Sequence, residues 1–231
     1  MKIKFSILFL GVISHISNYS AGFWPSKDGE TYWCKRGHFN FDQANFFCNL
    51  LPVIRPKYIL ETGFCTGRSA VSILLSHKPI KFISIDINLD YISPEGRIFA
   101  KKLTENFKCF QIIEADSRNI LNKTFFKTHF PNGIDWITID GGHSFEECYN
   151  DLDRSSEFLN QNGIIIVDDY KSGPPNGGTI ETVTNAVDAF VKKNKQFNKL
   201  EWYNKGKGFA ILFKSYDLYD LIKEAIIKTT F

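Results

Sequence analysis

Residues 58–77, "YILETGFCTGRSAVSILLSH", carry the pattern from which the fold can be predicted. It begins with a short apolar run, passes through a turn with two glycines, and continues with apolar residues at helical spacing. The same order recurs along the chain, because segments of helical pattern separate further apolar runs at 81–86, 109–116, 134–140 and 163–169. Strands that alternate with helices predict an α/β fold, in which a doubly wound, mostly parallel sheet has helices on both faces.

The length and composition are those of one globular domain. The chain has 231 residues, of which 43% are hydrophobic and 23% charged, and its net charge is +3. A charge this small, without a long basic run, gives no reason to expect nucleic acid or a membrane surface as a partner. The five cysteines are odd in number and form no CxxC pair, so we expect free thiols rather than a disulfide framework.

The domain limits follow from where the strand and helix rhythm begins and ends. We expect a cap or lead-in segment at 23–57, the main domain at 58–214 and a C-terminal helix at 215–231. Within the lead-in segment, Asp42 is placed to begin a short helix that Pro52 ends near Leu51. The main domain is expected to close with a hairpin, because two apolar runs flank the turn "KGKG".

The N-terminal residues 1–22 allow two interpretations. Two lysines, an apolar stretch and small residues at the end are typical of a secretory signal peptide. The alternative is an N-terminal helix that packs on the domain. The apolar stretch is too short to span a bilayer. We expect a cytoplasmic protein because of the free thiols, with secretion as the alternative if this segment is cleaved.

Every predicted parallel strand ends in a carboxylate. These residues are Glu61, Asp86, Asp116, Asp140 and the adjacent pair Asp168 and Asp169. Open sheets of this kind bind ligands beyond the carboxyl ends of their strands. A buried charge is costly unless it is paired or bound. The sequence therefore predicts an acidic rim with a function at the ligand-binding edge.

The turn after the first strand differs from a dinucleotide-binding turn. Gly63 and Gly67 flank it and Ser69 begins the helix, but Cys65 stands where the GxGxxG pattern has its middle glycine. Glu61 precedes the turn, and its carboxylate would repel a pyrophosphate. The same carboxylate suits a cationic ligand.

The next two strand ends suit a nucleoside. Asp86 is well placed for the two hydroxyls of a ribose, and Asp116 with Ser117 for the edge of an adenine ring. A nucleoside that carries positive charge and no phosphate is S-adenosylmethionine. We therefore predict this cofactor, with Glu61 among its binding residues.

The motifs "LETGFCTGRSA", "SIDIN", "EADS", "IDGGH" and "GIIIVDDY" together resemble the class I S-adenosylmethionine-dependent methyltransferases. The chain is most similar to the metal-dependent O-methyltransferases, of the catechol O-methyltransferase type and the antibiotic-sugar type, over residues 58–214. The resemblance implies a seven-stranded Rossmann-like sheet with an antiparallel final strand. It also implies methylation of a small hydroxylated acceptor, a sugar or a phenol.

The resemblance places Asp140, Asp168 and Asp169 at the family's metal-ligand positions. Three converging carboxylates would repel one another, and Mg²⁺ or another divalent cation would remove that conflict. Such an ion would lower the pKa of a bound hydroxyl group. The alternative is that Asp169 caps the following loop and no metal binds.

A general base should lie near the acceptor hydroxyl. His143 follows Asp140 by three residues, at an offset where the catechol enzymes have a lysine base. Asp140 could itself be the base, in which case His143 orients it or caps the next helix.

Other functions stay open from the sequence. They are a metal-dependent glycosyltransferase, another nucleotide-binding α/β enzyme, and a non-catalytic protein with a methyltransferase fold. A homo-oligomer is also compatible with the sequence.

Overall fold

The computed structural model describes residues 22–25, 31–34, 39–91, 94–172, 181–204 and 206–229. The expected segment 1–22 lies outside these ranges except for Gly22. In chain order the elements are β1 (Gly22–Pro25), β2 (Thr31–Cys34), α1 (Phe41–Ile54), β3 (Tyr58–Thr62), α2 (Arg68–Ser76), β4 (Lys81–Asp86), α3 (Glu95–Asn106), β5 (Phe110–Glu114), α4 (Ser117–Ile120), α5 (Lys123–His129), β6 (Ile134–Ile139), α6 (Phe145–Ser156), β7 (Leu159–Val167), α7 (Glu181–Lys193), β8 (Asn198–Asn204), β9 (Lys207–Phe213) and α8 (Leu218–Thr229).

The main sheet has seven strands in the order β5-β4-β3-β6-β7-β9-β8. Strands β3 to β7 pair in parallel, whereas β9 is antiparallel to both β7 and β8. The order reverses between β3 and β6, so the loops that follow these strands diverge and leave a crevice. The predicted doubly wound fold with an antiparallel final strand is confirmed. Strands β1 and β2 form a separate antiparallel pair.

The central strands are buried on both faces. On β7, Ile164 and Ile166 belong to one core cluster, and Ile165 and Val167 belong to the other. Helices α1, α2, α3 and α8 contribute buried residues to the first cluster, and α5, α6 and α7 contribute to the second. Two covered faces explain why these strands read as continuous apolar runs. Among the helices in the described ranges, none is both long enough and apolar enough to cross a membrane.

Helix α1 is longer than the sequence predicted. Asn40, and not Asp42, is its N-cap, and a reciprocal pair of hydrogen bonds with Gln43 completes the cap. The helix continues through Pro52 and ends at Ile54. A proline inside a helix removes one backbone donor. Burial of the apolar residues of this helix against the core outweighs that loss.

Strand β7 begins at Leu159, so Asn162 and Gly163 lie within it. The pairing of β6 with β7 has an irregularity between Ile134 and Trp136. A Cβ at Gly163 would lie 3.0 Å from the backbone oxygens of Ile134 and Asp135. The glycine therefore permits a close approach of two strands.

The turn from β3 into α2 has a strict backbone requirement. Gly63 has φ +87, and a Cβ there would lie 1.8 Å from the carbonyl oxygen of Asp140. Its N–H donates to the carbonyl of Ile85 at 2.8 Å. The ends of β3, β4 and β6 thus meet at one glycine.

We predict that Gly63→Ala destabilises the fold by about 3 kcal/mol, because it combines overpacking with a left-handed backbone. Urea unfolding measures the loss. Gly141→Ala is the matched control, since the nearest atom to its added Cβ lies at 3.5 Å. Equal unfolding midpoints for the two variants would contradict this account of the turn.

Candidate active site

A cavity of about 440 Å³ opens at the carboxyl edge of the sheet. Its walls come from the segments that follow β3, β4, β5 and β6, with Phe39 and Asp169 at its border. This volume lies in the range of small-molecule and cofactor sites. The cavity is therefore at the place where open α/β sheets bind ligands.

Most of the residues that the sequence singled out line this cavity. Those that do are Gly63, Ser69, Asp86, Asp116, Ser117, Asp140, His143 and Asp169. Three of them, Glu61, Gly67 and Asp168, are not part of its lining. These three residues contact residues next to the cavity instead.

Glu61 is fully buried behind Ser69. Its two carboxylate oxygens accept hydrogen bonds from Ser69 Oγ at 2.5 Å and Ser84 Oγ at 2.6 Å. Burial raises the pKa of Glu61 to about 7, and the nearby charge of Asp86 adds to that, while the serine bonds oppose it. Ser69, which lines the cavity, lies next to this carboxylate, and direct contact of Glu61 with a ligand stays a prediction.

Asp86 shapes the glycine turn. One of its oxygens accepts from the backbone N–H groups of Phe64 and Cys65, both at 2.8 Å, and the other accepts from the N–H of Asn88. Cys65 has φ 52, which is uncommon for a residue with a side chain. These bonds hold the turn open toward the cavity.

Gly67 supports the same turn by its lack of a side chain. It has φ +73, and a Cβ would lie 2.5 Å from Cζ of Phe64. The residue therefore allows Phe64 to be buried under the start of α2.

The far wall is built around Asp116, which is the N-cap of α4. Its carboxylate accepts from the backbone N–H of Arg118 and forms an ion pair with the guanidinium of that residue at 2.7 Å. The side-chain bond with Arg118 lowers the pKa of Asp116. Ser117 begins the helix beside it. The wall thus presents a carboxylate that stays ionised.

The three carboxylates at the other end of the cavity have different partners. Asp168 Oδ1 accepts from Gln43 Nε2 at 2.8 Å and from the N–H of Asp169 at 2.7 Å. Asp169 Oδ1 accepts from Lys207 Nζ at 2.9 Å, and Asp169 Oδ2 lies 2.8 Å from His143 Nε2. Asp169 adopts φ 59, so its backbone is in the left-handed region.

Negative charge concentrates on one of these carboxylates. Burial and the charges of Asp168 and Asp169 raise the pKa of Asp140, and burial with the charge of Asp169 raises that of Asp168. Burial also pushes the pKa of Asp169 upward, but the bonds from His143 and Lys207 outweigh it and lower the value to about 2. Asp169 is therefore the stable anion of the cluster.

A divalent cation is the group that the sequence resemblance implies for this end of the cavity. Asp140, His143 and Asp169 each offer a ligand atom, and these atoms lie within 4.8 Å of one another. Asp168 is not in this group, and its predicted role as a metal ligand stays a prediction. Both oxygens of Asp169 already have partners, and a metal ion there would be repelled by the ammonium group of Lys207. In this arrangement the donor set does not fit the ion.

Sequence reasoning missed two residues of the site. Gln43 is 125 residues from Asp168, and Lys207 is 38 residues from Asp169. Both belong to segments that were interpreted only as a lead-in helix and a hairpin turn. Tyr91, whose residue surface is 82% exposed, also lines the cavity and carried no recognisable motif.

Residues 60–170 match a family model described as "Methyltransferase domain". An uncharacterized protein of Acanthamoeba polyphaga mimivirus is 29% identical over 118 residues, which are 48% of this chain and 51% of that protein. The aligned part thus spans about half the length of this curated relative.

Several solved structures share the fold. A methyltransferase of Podospora anserina bound to SAH has a TM-score of 0.55 at 18% identity, covering 75% of this chain and 78% of that chain. An O-methyltransferase from Bacillus cereus in complex with SAH has a TM-score of 0.59 at 13% identity, with 75% and 80% covered. The O-methyltransferase TomG from Streptomyces achromogenes, in complex with SAM, has 0.59 at 14% identity, with 75% and 79% covered.

The buried carboxyl of Glu61 generates a prediction about pH. Its pKa rises from 4.5 to about 7 on folding, so the native state binds more protons in that window and stability falls as pH increases through it. We expect Glu61→Gln to remove this pH dependence, which for Glu61 amounts to a loss of about 3 kcal/mol in the free energy of unfolding between pH 4.5 and pH 8. Urea unfolding as a function of pH measures it.

The control for this experiment is Glu105→Gln, because Glu105 is exposed and its ion pair with Lys101 spans 4.0 Å. Its free energy of unfolding should change with pH in the same way as that of the natural sequence. If the free energy of unfolding of Glu61→Gln also changes with pH as that of the natural sequence does, Glu61 does not titrate between pH 4.5 and pH 8.

Proposed function

Because residues 60–170 carry a methyltransferase domain and the chain has the fold of class I methyltransferases, we propose that it is an S-adenosylmethionine-dependent O-methyltransferase. The observation that carries the proposal is a single cavity with acids suited to a nucleoside at one end and a histidine–carboxylate pair at the other. The acceptor is a small hydroxylated molecule, a phenol or a sugar.

Residues at three strand ends would hold the cofactor. Asp86 and Asp116 line the cavity with carboxylates that suit ribose hydroxyls and the polar edge of adenine. Ser69 and Gly63 border the turn, and Glu61 keeps Ser69 in place. The exposed side chain of Tyr91 adds an aromatic surface near the opening. When bound, S-adenosylmethionine supplies a methyl group on a positively charged sulfur.

His143 is suited to act as the general base. Asp169 holds its Nε2, which leaves Nδ1 as the ring nitrogen that would take the proton of an acceptor hydroxyl. Its side chain is about half exposed, at 51%, and lines the cavity, so an acceptor would be able to reach it. Asp140 is the weaker candidate, because burial and its acidic neighbours raise its pKa and favour its neutral form.

Positioning would supply much of the rate. A base and an acceptor that are held in one cavity react as parts of one molecule, which removes much of the entropic cost of their meeting. The hydrogen bond with Asp169 keeps the base oriented. No step in this scheme needs a metal ion, and the expected Mg²⁺ stays a prediction of the sequence alone.

Two expectations about the whole protein remain predictions. Cytoplasmic location is compatible with the free thiols at Cys48, Cys65, Cys109 and Cys148. Assembly into a homo-oligomer is the other.

We predict that Asp86→Asn weakens S-adenosylhomocysteine binding at least tenfold, since it alters both the ribose-binding carboxylate and the acceptor of two turn N–H groups. Isothermal titration calorimetry measures the dissociation constant. Asp90→Asn is the matched control, because Asp90 pairs with Arg97 at the surface. If both variants bind as the natural sequence does, Asp86 has no part in cofactor binding. If the natural sequence does not bind the ligand at all, the proposed function is wrong.

We predict that His143→Gln lowers kcat at least a hundredfold while S-adenosylhomocysteine affinity stays the same, because only proton removal is lost. Transfer of a radioactive methyl group from S-adenosylmethionine to a panel of phenols and sugars measures kcat. His77→Gln is the control, since His77 bonds to the backbone oxygen of Pro56 away from the cavity. An unchanged kcat in His143→Gln would remove the histidine from the mechanism.

A further inference from the structure

Lys207 is fixed beside the acidic cluster by its own backbone. The next residue, Gly208, donates its N–H to Ser172 Oγ at 2.8 Å, and a Cβ at Gly208 would lie 2.2 Å from the carbonyl oxygen of Tyr170. Strand β9 therefore runs directly against the segment that follows Asp169. Lys207 is the first residue of β9, so its side chain lies close to the Asp169 carboxylate.

The ammonium group of Lys207 acts on the whole cluster. Its Nζ donates to Asp169 Oδ1 at 2.9 Å, and its side chain is only 24% exposed. Its positive charge also lowers the pKa values of Asp140 and Asp168, against the larger effect of burial. Lys207 thus supplies part of the charge compensation that a bound cation would otherwise supply, and it acts most directly on Asp169.

The other oxygen of Asp169 and one oxygen of Asp168 also have partners within the protein. His143 holds the second oxygen of Asp169, while Gln43 and a backbone N–H hold one oxygen of Asp168. A divalent ion prefers several unobstructed oxygen ligands at short distance. To bind an oxygen of Asp169 here, it would have to displace the lysine or the histidine that already holds that oxygen.

We propose that Lys207 is the built-in cation of the acidic cluster, that it positions Asp169 and through it His143, and that the protein works without a divalent metal. This inference rests on the proposed function for its catalytic meaning. The charge compensation itself does not depend on which reaction occurs. Lys207 is a positioning residue, since its contacts are with Asp169 rather than with an acceptor.

The test is the affinity of the full-length protein for Mn²⁺, measured by electron paramagnetic resonance of the free ion. Lys207→Met leaves the carboxylates without their cation, so we expect it to bind Mn²⁺ at least tenfold more tightly than the natural sequence. Lys207→Arg keeps the charge and should bind as weakly as the natural sequence. Lys171→Met is the matched control, because Lys171 pairs with Glu201 at the surface.

Equal Mn²⁺ affinity of the natural sequence and Lys207→Met, whether tight or weak, would overturn the proposal. Circular dichroism of both proteins ensures that the comparison is between folded chains. If Lys207→Met does not fold, Lys207→Gln, which keeps a polar donor without the charge, takes its place with the same expectation.

A second readout separates this inference from the proposed function. We expect EDTA to leave methyl transfer by the natural sequence unchanged. Loss of turnover in EDTA, with S-adenosylhomocysteine still bound, would overturn the inference and leave the methyltransferase assignment standing. If the predicted difference in Mn²⁺ affinity is found but the protein does not bind S-adenosylhomocysteine, the role of Lys207 stands and the methyltransferase assignment is wrong.

Discussion

The cost of burying negative charge at the carboxyl edge of the sheet is the constraint on which the site depends. Each strand end that enters this edge brings an acid, and most of these acids have a donor: Ser69 and Ser84 for Glu61, the turn N–H groups for Asp86, Arg118 for Asp116, Gln43 for Asp168, and Lys207 with His143 for Asp169. Without these partners the acids would be protonated or the edge would open. The partners therefore determine both the shape of the cavity and where its charge lies.

The compensation divides the cavity into two chemically distinct ends. At the first, Asp86 accepts from backbone N–H groups, and Asp116 accepts from the backbone and the guanidinium of Arg118. At the second, Asp169 is held between an ammonium group and an imidazole. This division suits a reaction in which a nucleoside cofactor lies at one end and a hydroxyl group loses its proton at the other.

The sequence predicted the sheet and the acidic edge well, because both depend on local patterns. Apolar runs such as 163–167 are typical of strands covered on both faces, and a carboxylate after each run is visible without a structure. The partners of those carboxylates were not predictable in the same way. Gln43 and Lys207 reach Asp168 and Asp169 from distant parts of the chain, and no spacing rule connects them. The position of the Glu61 side chain, which is bonded to Ser69 behind the cavity wall, was not predictable from the sequence either.

The most direct test of this account is a crystal structure of the S-adenosylhomocysteine complex grown with Mn²⁺, with anomalous scattering used to locate the ion. We expect the ligand in the cavity between Asp86 and Asp116 and no anomalous peak at Asp169, with Lys207 still bound to that carboxylate. An anomalous peak among Asp140, His143 and Asp169, with Lys207 displaced, would contradict it. So would a ligand bound anywhere other than this cavity.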